Sequence, residues 1–419
     1  MGDKPRIVIL GGGFAGLGAA GKLKKANAEV VLIDKHDYHT FQPMLYQVAT
    51  NLIATEEVAH PLRDLARKLP NLIVHRATAT NIDLAKRQVE FQEIPPLSYD
   101  YLVIALGAKV NFFGVKGAAE YAFPLYTLPD AVRLKYHILN KWDAADKDRS
   151  LIEDGALNVV VVGGGPTGVE SAGALIELYR GNFVYDYRDM PAKDAKVTLV
   201  EFAPQLFAMF KEDIRKFSQH ALERRGVEVR LGDGVTEVTP TRVHLKSGEI
   251  LKAHTLVWGA GLQANPITKT LGIELQKGGR IPVGPDLSIA GHPEVFAVGD
   301  VAWMTDTNTD EVLPQLGGPA LQAGEQAGEN IVRDLKHKER EPFIYFDKGT
   351  MATIGRGAAV TQLPNGMTMK GKLAQFSWGF VHLWLLSGGD ARTKTVIDWS
   401  WAGFSRKRIA RVTIDPTEK

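Results

Sequence analysis

The chain has 419 residues, of which 45% are hydrophobic and 23% charged, and its formal net charge is only +2. This length predicts two or three domains of an ordinary globular protein, and the small net charge gives no argument for nucleic acid as a partner. Cysteine is absent, which excludes disulfides, thiolate nucleophiles, iron–sulfur ligation and dithiol relays. Any redox chemistry must therefore use a bound organic cofactor.

The first motif is a glycine turn between two apolar runs. The runs are residues 7–10 (IVIL) and 30–34 (VVLID), and the turn between them is GGGFAG at 11–16. This pattern predicts strand, turn, helix and strand, with Gly11 making the tight turn, Gly13 letting backbone N–H groups approach a pyrophosphate, and Gly16 letting the helix pack closely. Asp34 lies 18 residues beyond Gly16, where a carboxylate accepts a hydrogen bond from a ribose hydroxyl. The motif predicts a dinucleotide site.

The residues after Asp34 are unusually aromatic and rich in amides. Residues 35–50 leave the carboxyl edge of the predicted sheet, where open α/β folds bind ligands, so they are either a ligand-contacting segment or a structural loop. His36 and His39 lack further ligands at metal-binding spacing, and we expect ordinary loop histidines and no metal site. Residues 101–106 predict a buried parallel strand that ends at Gly107.

A second glycine turn follows a predicted helix. Thr127 is the expected N-cap of that helix, which should run to about Trp142, and the charged residues 143–154 are an expected domain boundary. The strand 158–162 then leads into GGGPTG at 163–168, and a later strand ends at Glu201. As a ribose partner, Glu201 would repel a 2′-phosphate and favour NAD(H) over NADP(H); the alternative is a solvated strand end.

The two halves repeat each other. Gly11 and Gly107 are 96 residues apart, and so are Gly163 and Gly259. We therefore predict an α/β fold with two Rossmann-like dinucleotide-binding domains, the second inserted in the first. The run 295–300 (VFAVGD) should close the first domain and place Asp300 beside the sugar or ribityl chain of a cofactor.

A helix is expected from about Ala320 to Leu335. Its N-terminus would carry unpaired N–H groups and partial positive charge, which at the N1/C2=O edge of a flavin would stabilise the anionic reduced ring. Gln322 and Gln326 lie one turn apart on this helix. They either donate hydrogen bonds to quinone carbonyls or are solvated helix glutamines.

The tail of the chain is aromatic and basic. Residues 370–419 contain nine Lys and Arg against four Asp and Glu, and Ile397, Trp401 and Phe404 form a stripe backed by Arg406, Lys407, Arg408 and Arg411. This pattern is typical of amphipathic helices in a lipid headgroup layer; a dimer interface or a helical cap is the alternative. No apolar run reaches the roughly 18 residues that span a bilayer, and no signal peptide is seen, so we expect a cytoplasmic chain that lies on the membrane.

The chain resembles the two-dinucleotide-binding-domain flavoproteins, and within them the type II NADH:quinone oxidoreductases. The most specific segments are residues 41–49, 168–170, 313–315 with the glutamine helix, 347–356 and 399–401. After Leu386 the chain is less apolar than is usual for this family. Relatives that handle sulfide or disulfides are excluded because they need cysteine.

The resemblance implies the site residues. Non-covalent FAD and the substrate NADH would be bound by residues of the two glycine turns and of the strand ends: Gly11, Gly13, Phe14, Ala15, Gly16, Asp34, Lys35, Ala79 (through its backbone), Gly107, Asp300 and Leu321 for FAD, and Gly163, Gly165, Thr167, Gly168, Glu201, Gly259 and Gly261 for NADH. Glu170 would lie where the nicotinamide meets the flavin, and Gln322 and Gln326 would contact the quinone.

The resemblance also implies an activity and a location. The expected enzyme is a non-proton-pumping NADH dehydrogenase that reduces a membrane quinone, a homodimer peripheral to the cytoplasmic face of the bacterial inner membrane. The expected parts are an FAD-binding domain (1–115 and 286–340), an NADH-binding domain with linkers (116–285) and a membrane-anchoring, quinone-access domain (341–419). The alternatives are a soluble NADH-dependent reductase of a small redox protein or oxygen, and an NADH-sensing flavoprotein with little turnover.

Overall fold

The computed structural model describes residues 4–405 together with Arg408 and Arg411; Arg406 and Lys407 lie outside the described residues. The chain forms two compact units. The first unit comprises the residues up to Thr40, His60–Val110 and Leu262–Lys348, and the second comprises Phe41–Ala59, Asn111–Gly261 and the residues from Gly349 onward.

The helices of the described residues are, in chain order, α1 (Phe14–Lys22), α2 (Leu45–Ala49), α3 (Thr55–Val58), α4 (Leu62–Ala66), α5 (Ala118–Tyr121), α6 (Leu128–Lys147), α7 (Ser150–Glu153), α8 (Pro166–Leu178), α9 (Val184–Asp186), α10 (Glu212–Glu223), α11 (Gly317–Leu335), α12 (Lys372–Leu385) and α13 (Gly389–Ser405). A π-helical turn, Tyr179–Phe183, joins α8 to α9, and a 3₁₀ turn spans Gly299–Val301.

The strands of the described residues are β1 (Arg6–Leu10), β2 (Glu29–Asp34), β3 (Tyr38–Thr40), β4 (Ala59–Pro61), β5 (Leu72–Arg76), β6 (Ala79–Asp83), β7 (Gln88–Phe91), β8 (Leu97–Ser98), β9 (Tyr101–Ile104), β10 (Ala108–Val110), β11 (Phe123–Pro124), β12 (Val159–Val162), β13 (Val197–Glu201), β14 (Val227–Leu231), β15 (Val235–Val238), β16 (Arg242–Leu245), β17 (Ile250–Lys252), β18 (Thr255–Trp258), β19 (Leu262–Ala264), β20 (Ile281–Pro282), β21 (Ser288–Ile289), β22 (His292–Ala297), β23 (Ala302–Trp303), β24 (Thr350–Gly355), β25 (Ala358–Gln362) and β26 (Thr368–Gly371).

The first unit is built on a six-stranded sheet in the order β21-β22-β9-β1-β2-β5. Its central strand β1 is parallel to both β2 and β9, and its apolar residues 7–10 are fully buried. Such continuous apolar runs are expected of parallel strands covered on both faces. Helix α1 packs on α11 through small residues, since a side chain at Gly324 would overlap the carbonyl oxygen of Ala15. The two helices are therefore in direct backbone contact at this point.

The second unit repeats this plan. Its five-stranded sheet has the order β11-β18-β12-β13-β14 and is parallel throughout. Strand β12 lies between β13 and β18, as β1 lies between β2 and β9. Each unit also carries a three-stranded antiparallel meander, β6-β7-β8 in the first and β15-β16-β17 in the second. The predicted fold class, two Rossmann-like domains with the second inserted in the first, is confirmed.

The tail belongs to the second unit. Strands β24, β25 and β26 form an antiparallel sheet, and α12 and α13 follow it. Helix α13 packs against α3 of the segment 41–59. Searched for a membrane span, the described residues yield no helix with the necessary length and apolar character.

The structure differs from the expected boundaries in several places. Helix α6 continues to Lys147 and α7 follows, so the charged residues 143–154 are largely helical and lie inside the second unit instead of bounding a domain. The chain crosses between units at the paired strands β10 and β19, near residues 110 and 262 instead of 115 and 285. Segment 41–59 leaves the first unit altogether, because its short helices pack against α6, α8 and α13.

Candidate active site

The first glycine turn has the geometry of a phosphate cradle. Gly11 has a φ of +104°, and a side chain at Gly16 would overlap the carbonyl oxygen of Gly11. Gly13 is the N-cap of α1, where no side chain caps the helix, and a Cβ built on it would meet no atom within 4 Å. The N-terminus of α1 therefore faces open space that an anionic group can fill.

Asp34 holds this turn in place. One of its carboxylate oxygens accepts a hydrogen bond of 2.7 Å from the backbone N–H of Gly12, and the other accepts one of 2.7 Å from the N–H of His36. The acid at the end of β2 therefore orders the turn. His39 contributes to the same cradle, since its Nδ1 lies 3.0 Å from the carbonyl oxygen of Gly12.

The second glycine turn repeats these contacts atom for atom. Gly163 has a φ of +113°, and a side chain at Gly168 would overlap the carbonyl oxygen of Gly163. Gly165 is the N-cap of α8, and a Cβ built there would also meet no atom within 4 Å. Glu201 accepts hydrogen bonds from the N–H of Gly164 and, at 2.7 Å, from the N–H of Ala203. Glu201 is thus a turn-ordering acid like Asp34, although the spacing from its glycine turn is longer.

The other predicted residues of the first unit gather near its cradle or at strand ends. Gly299, with a φ of +76°, packs closely between Ala15 and Ala320, since a Cβ built on it would come within 3.2 and 3.3 Å of their Cβ atoms, and the turn with Asp300 therefore lies alongside the starts of α1 and α11. Phe14 begins α1, and its ring meets the ring of His39 edge-on at 5.1 Å. The remaining predicted residues lie as follows: exposed Lys35 just after β2, Ala79 at the start of β6, Gly107 with positive φ after β9, and Leu321 on α11 against Gly18.

Two further predicted residues of the second unit, Thr167 and Gly259, lie at the second turn. Thr167 is the second residue of α8, and its carbonyl oxygen accepts a hydrogen bond of 2.5 Å from the hydroxyl of Ser171. Gly259 follows β18 with its carbonyl beside Gly163, and Gly261 has a φ of +70° with the Phe113 ring filling the space beside it. Thr167 and Gly259 therefore lie at the start of α8, whereas Gly261 lies beside Asn111 and Phe113.

Glu170 is a buried acid on α8. It is 8% exposed, and its Oε1 accepts a hydrogen bond of 3.0 Å from the backbone N–H of Thr353 on β24. Burial raises the pKa of Glu170 to about 8, and the Thr353 N–H opposes that rise. A carboxyl group with this pKa is mostly protonated at neutral pH and can hold a proton inside the protein.

A chain of hydrogen bonds continues from Glu170 to the tail. The Tyr46 hydroxyl lies 3.4 Å from the hydroxyl oxygen of Thr353, and Nε2 of Gln47 donates to the Tyr46 hydroxyl at 3.0 Å. The indole Nε1 of Trp399, on α13, donates to Oε1 of Gln47 at 2.7 Å. All of these residues belong to the second unit, and Tyr46, Gln47 and Thr353 are at least nine-tenths buried.

Gln322 and Gln326 belong to the first unit and both bind main chain. Gln322 donates to the carbonyl of Phe346 and accepts from its N–H, each at 3.0 Å. Nε2 of Gln326 donates to Oδ1 of Asn330 at 3.2 Å and to the carbonyl of Glu341 at 3.5 Å. The two amides thus fasten residues 341–346 to α11, a role that the sequence did not indicate.

The chain matches the family described as pyridine nucleotide-disulphide oxidoreductase over residues 5–327. A type II NADH:quinone oxidoreductase of Mycobacterium tuberculosis is 35% identical over 418 residues, which cover 96% of this chain and 89% of that protein. A type II NADH:quinone oxidoreductase of Staphylococcus aureus is 31% identical over 383 residues, which cover 89% of this chain and 93% of that protein. The chain belongs to the type II NADH:quinone oxidoreductases.

Solved structures support the same fold. A structure of NDH2 from Plasmodium falciparum in complex with NADH has a TM-score of 0.90 at 20% identity and covers 97% of this chain and 100% of that chain. Membership in the type II NADH:quinone oxidoreductases confirms the resemblance drawn from the sequence segments and makes this chain an oxidoreductase. Since the chain has no cysteine, the disulphide chemistry in the wider family's description is closed to it.

Sequence reasoning missed the side chains that connect to Glu170. Tyr46, Gln47, Thr353 and Trp399 fall in segments that carry the resemblance, but nothing in the sequence pairs residues some 300 positions apart. The aromatic and amide-rich composition of residues 35–50 was the available signal. As for metals, no cluster of three or more potential ligands occurs among the residues that the structure describes.

Proposed function

We propose that the chain is a non-proton-pumping NADH dehydrogenase that oxidises NADH, uses bound FAD and reduces a membrane quinone. The observation that carries the proposal is the repeated cradle, a glycine turn ordered by an acid, in both units of a type II NADH:quinone oxidoreductase. Two separate cradles suit one resident and one exchanging dinucleotide. The alternatives of a reductase for a redox protein and of an NADH sensor lack a comparable observation.

The first unit fits FAD. Its open helix N-terminus at Gly13 offers N–H groups to a pyrophosphate, Asp34 would accept from a ribose hydroxyl, and Asp300 lies by the N-termini of α1 and α11. No side chain caps α11 either, so its positive end is available to an anionic flavin edge. Bound FAD would supply hydride acceptance from NADH and delivery of two electrons to quinone.

The second unit fits NADH. Gly165 leaves space for a pyrophosphate before α8, and Glu201 repels the 2′-phosphate of NADPH. Glu170 follows the same glycine turn by two residues, so a nicotinamide extending along α8 would meet it. Its buried carboxyl group can hold one of the protons that quinone reduction consumes.

Gln322 and Gln326 are proposed as quinone contacts of the first unit. Each amide already binds main chain of residues 341–346, so a quinone carbonyl would use the remaining N–H of Gln322 or displace the Glu341 carbonyl from Gln326. Ile344 and Phe346 in this segment are exposed, which offers apolar surface to a quinone ring.

The tail is proposed to bind a lipid bilayer. Leu373, Phe376, Phe380 and Trp384 form one exposed stripe along α12, and Ile397, Trp401 and Phe404 form another along α13. Large exposed apolar stripes of this kind suit a headgroup layer. Arg408 does not join them, because it is buried, donates to the carbonyl of Thr50 at 2.6 Å and lies 3.8 Å from Glu177.

The proposed location is peripheral, on the cytoplasmic face of the bacterial inner membrane, where NADH is produced. A homodimer is proposed as well, with part of the exposed tail surface as its interface. Light scattering in mild detergent tests the dimer: twice the chain mass supports it, and a single chain mass refutes it.

The activity is tested with purified protein in three steps. The protein should be yellow with about one FAD per chain, the flavin should bleach anaerobically with NADH, and a short-chain quinone should restore the colour. Steady-state turnover with NADH should exceed that with NADPH by at least about tenfold. A colourless protein that does not bind added FAD would refute the proposal, and a bleached flavin that only a redox protein reoxidises would favour the soluble reductase.

A further inference from the structure

Trp399 lies at the tail end of the hydrogen-bond chain that leads to Glu170. Its indole N–H determines the orientation of the Gln47 amide, the next group in the chain. An indole N–H can only donate, so Oε1 of Gln47 must be the atom that accepts from it. This fixes the orientation of the Gln47 amide, which a glutamine alone would leave open. The Gln47 amide then has only N–H donors to offer to the Tyr46 hydroxyl.

The Tyr46 hydroxyl follows Gln47 in the chain. Because the Tyr46 oxygen accepts from Gln47, its own hydrogen is free for another acceptor, and the hydroxyl oxygen of Thr353 lies 3.4 Å away. Burial and the nearby Glu170 raise the pKa of Tyr46 above its ordinary value, so the hydroxyl keeps its hydrogen at every working pH. The Tyr46 hydroxyl therefore stays protonated, and its contact with Thr353 joins two hydroxyl groups of which either can donate.

Thr353 connects Tyr46 to Glu170. Its side chain receives the Tyr46 contact, and its backbone N–H donates to Glu170 at 3.0 Å. That N–H stabilises the ionised form of Glu170, so the placement of Thr353 affects where the acid titrates. A displaced Thr353 would leave the buried carboxylate without this donor.

The next acid along α8, Glu177, is paired with arginine side chains and does not act on Glu170. Glu177, two turns along α8, accepts from the N–H of Arg356, the residue that follows β24, and pairs with Arg225 at 3.5 Å. Arg408 lies 3.8 Å from the same carboxylate. Tyr46 on α2 is the titratable side chain that couples directly to Glu170.

We propose that Trp399 and Gln47 are positioning residues, which hold Tyr46 and Thr353 in register with Glu170 and thereby make the seating of the tail helix α13 set the protonation of the active-site acid. The proposal rests on the proposed function only in taking Glu170 as part of turnover. It assigns α13 an inward role, because Trp399 faces Gln47 while Ile397, Trp401 and Phe404 stay exposed.

The first test compares two tryptophan-to-phenylalanine variants. Trp399→Phe removes the indole N–H that orients Gln47, whereas Trp378→Phe removes an indole N–H that finds no hydrogen-bond partner among the described residues. Both side chains lie in the tail with ring centroids 5.7 Å apart, so the control is matched in place and size. W399F should move the alkaline limb of the pH profile of kcat upward by roughly half to one pH unit, and W378F should not.

The second test asks whether Trp399 acts through Tyr46. Tyr46→Phe removes the hydroxyl and should shift the same limb upward, and W399F/Y46F should show the shift of Y46F alone. Additive shifts would mean that Trp399 acts by another route and would overturn the proposal. If W399F does not fold, the pH profiles of Y46F and W378F still test the proposal. A folded Y46F variant whose alkaline limb does not shift refutes the proposal.

A spectroscopic readout separates this proposal from the proposed function. The infrared band of protonated carboxyl groups that is lost in Glu170→Gln reports the titration of Glu170 in the FAD-loaded protein, without turnover. The midpoint of this band should shift upward in W399F and Y46F and stay in place in W378F. Unchanged midpoints in W399F, Y46F and W378F overturn the positioning role. Shifted midpoints in W399F and Y46F together with unaltered turnover in E170Q uphold the positioning role but remove Glu170 from the mechanism.

Discussion

At the scale of single residues, the most consequential feature is a carboxyl group kept away from water. Glu170 is 8% exposed, and in the described part of the chain its carboxyl group accepts one hydrogen bond, from the Thr353 N–H. One neutral donor cannot replace the hydration of a carboxylate, so the protein favours the protonated acid up to about pH 8. A carboxyl group that is protonated at neutral pH suits a reaction that consumes protons.

The Glu170→Gln variant should reveal the burial cost as a pH-dependent change in stability. Between the ordinary glutamate pKa of 4.5 and about 8, the folded protein keeps a proton that the unfolded chain has released, so the free energy of unfolding falls as pH rises. Glutamine removes this loss. At pH 9 we expect the variant to be more stable than the wild type by on the order of 4 kcal/mol, and at pH 5 to differ little.

Thermal unfolding at both pH values measures this difference, and the same protein tests catalysis. Flavin content should be unchanged, while turnover with NADH and quinone falls by about 10²-fold or more if Glu170 supplies a proton. Equal melting temperatures at pH 9 would show that Glu170 is ionised without penalty in solution. Unchanged turnover would remove it from the reaction.

At the scale of elements, the packing of α8 on β24 determines whether Glu170 reaches Thr353. Glu170, Gly173 and Glu177 follow one another along the face of α8 toward β24, and both acids accept hydrogen bonds from backbone N–H groups there. A Cβ at Gly173 would overlap the carbonyl oxygen of Ile354. The glycine therefore permits the short distance between helix and strand that both hydrogen bonds need.

Gly173→Ala should push α8 away from β24. We expect a loss of about 1–3 kcal/mol in the free energy of unfolding and a fall in turnover, because the Thr353 N–H moves off Glu170. Gly181→Ala is the control, since a Cβ there meets no atom within 4 Å. Denaturant unfolding of both variants checks the prediction, and equal destabilisation by the two substitutions would contradict it.

The exposed stripe of α12 gives a second prediction at this scale. Replacing Phe376, Phe380 and Trp384 by serine removes three large side chains that are 76%, 63% and 72% exposed, so folding stability should change little. Binding to vesicles that contain anionic lipid should fall by about tenfold or more in flotation. Ile250→Ser, at an exposed position of β17, should leave flotation unaltered. Unchanged flotation of the triple variant would exclude this stripe as the lipid contact.

At the scale of the whole molecule, local patterns predicted far more than distant pairings. The glycine turns, the acids at the ends of β2 and β13 and the 96-residue repeat could be predicted because each depends on neighbouring residues or on fixed spacing. The assignment of segment 41–59 to the second unit could not be predicted from the sequence, since it depends on the packing of α2 and α3 against α6, α8 and α13. The Trp399–Gln47 hydrogen bond is invisible in the sequence for the same reason.

Because the two glycine turns are alike, equivalent substitutions in them should impair the binding of two different nucleotides. Asp34 and Glu201 each accept hydrogen bonds from two backbone N–H groups, one at each carboxylate oxygen. Replacing either acid by its amide puts an NH₂ group in place of one oxygen, and this group cannot accept from the backbone N–H that it faces. Asp34→Asn should lower the FAD content of the purified protein. Glu201→Gln should keep the flavin and raise the KM for NADH by about tenfold, with weaker discrimination against NADPH. Glu228→Gln, on neighbouring β14 and without a glycine turn, should change neither. Flavin absorbance and NADH kinetics distinguish the outcomes, and loss of FAD from the Glu201 variant with an unchanged KM would mean that the two cradles serve the opposite nucleotides.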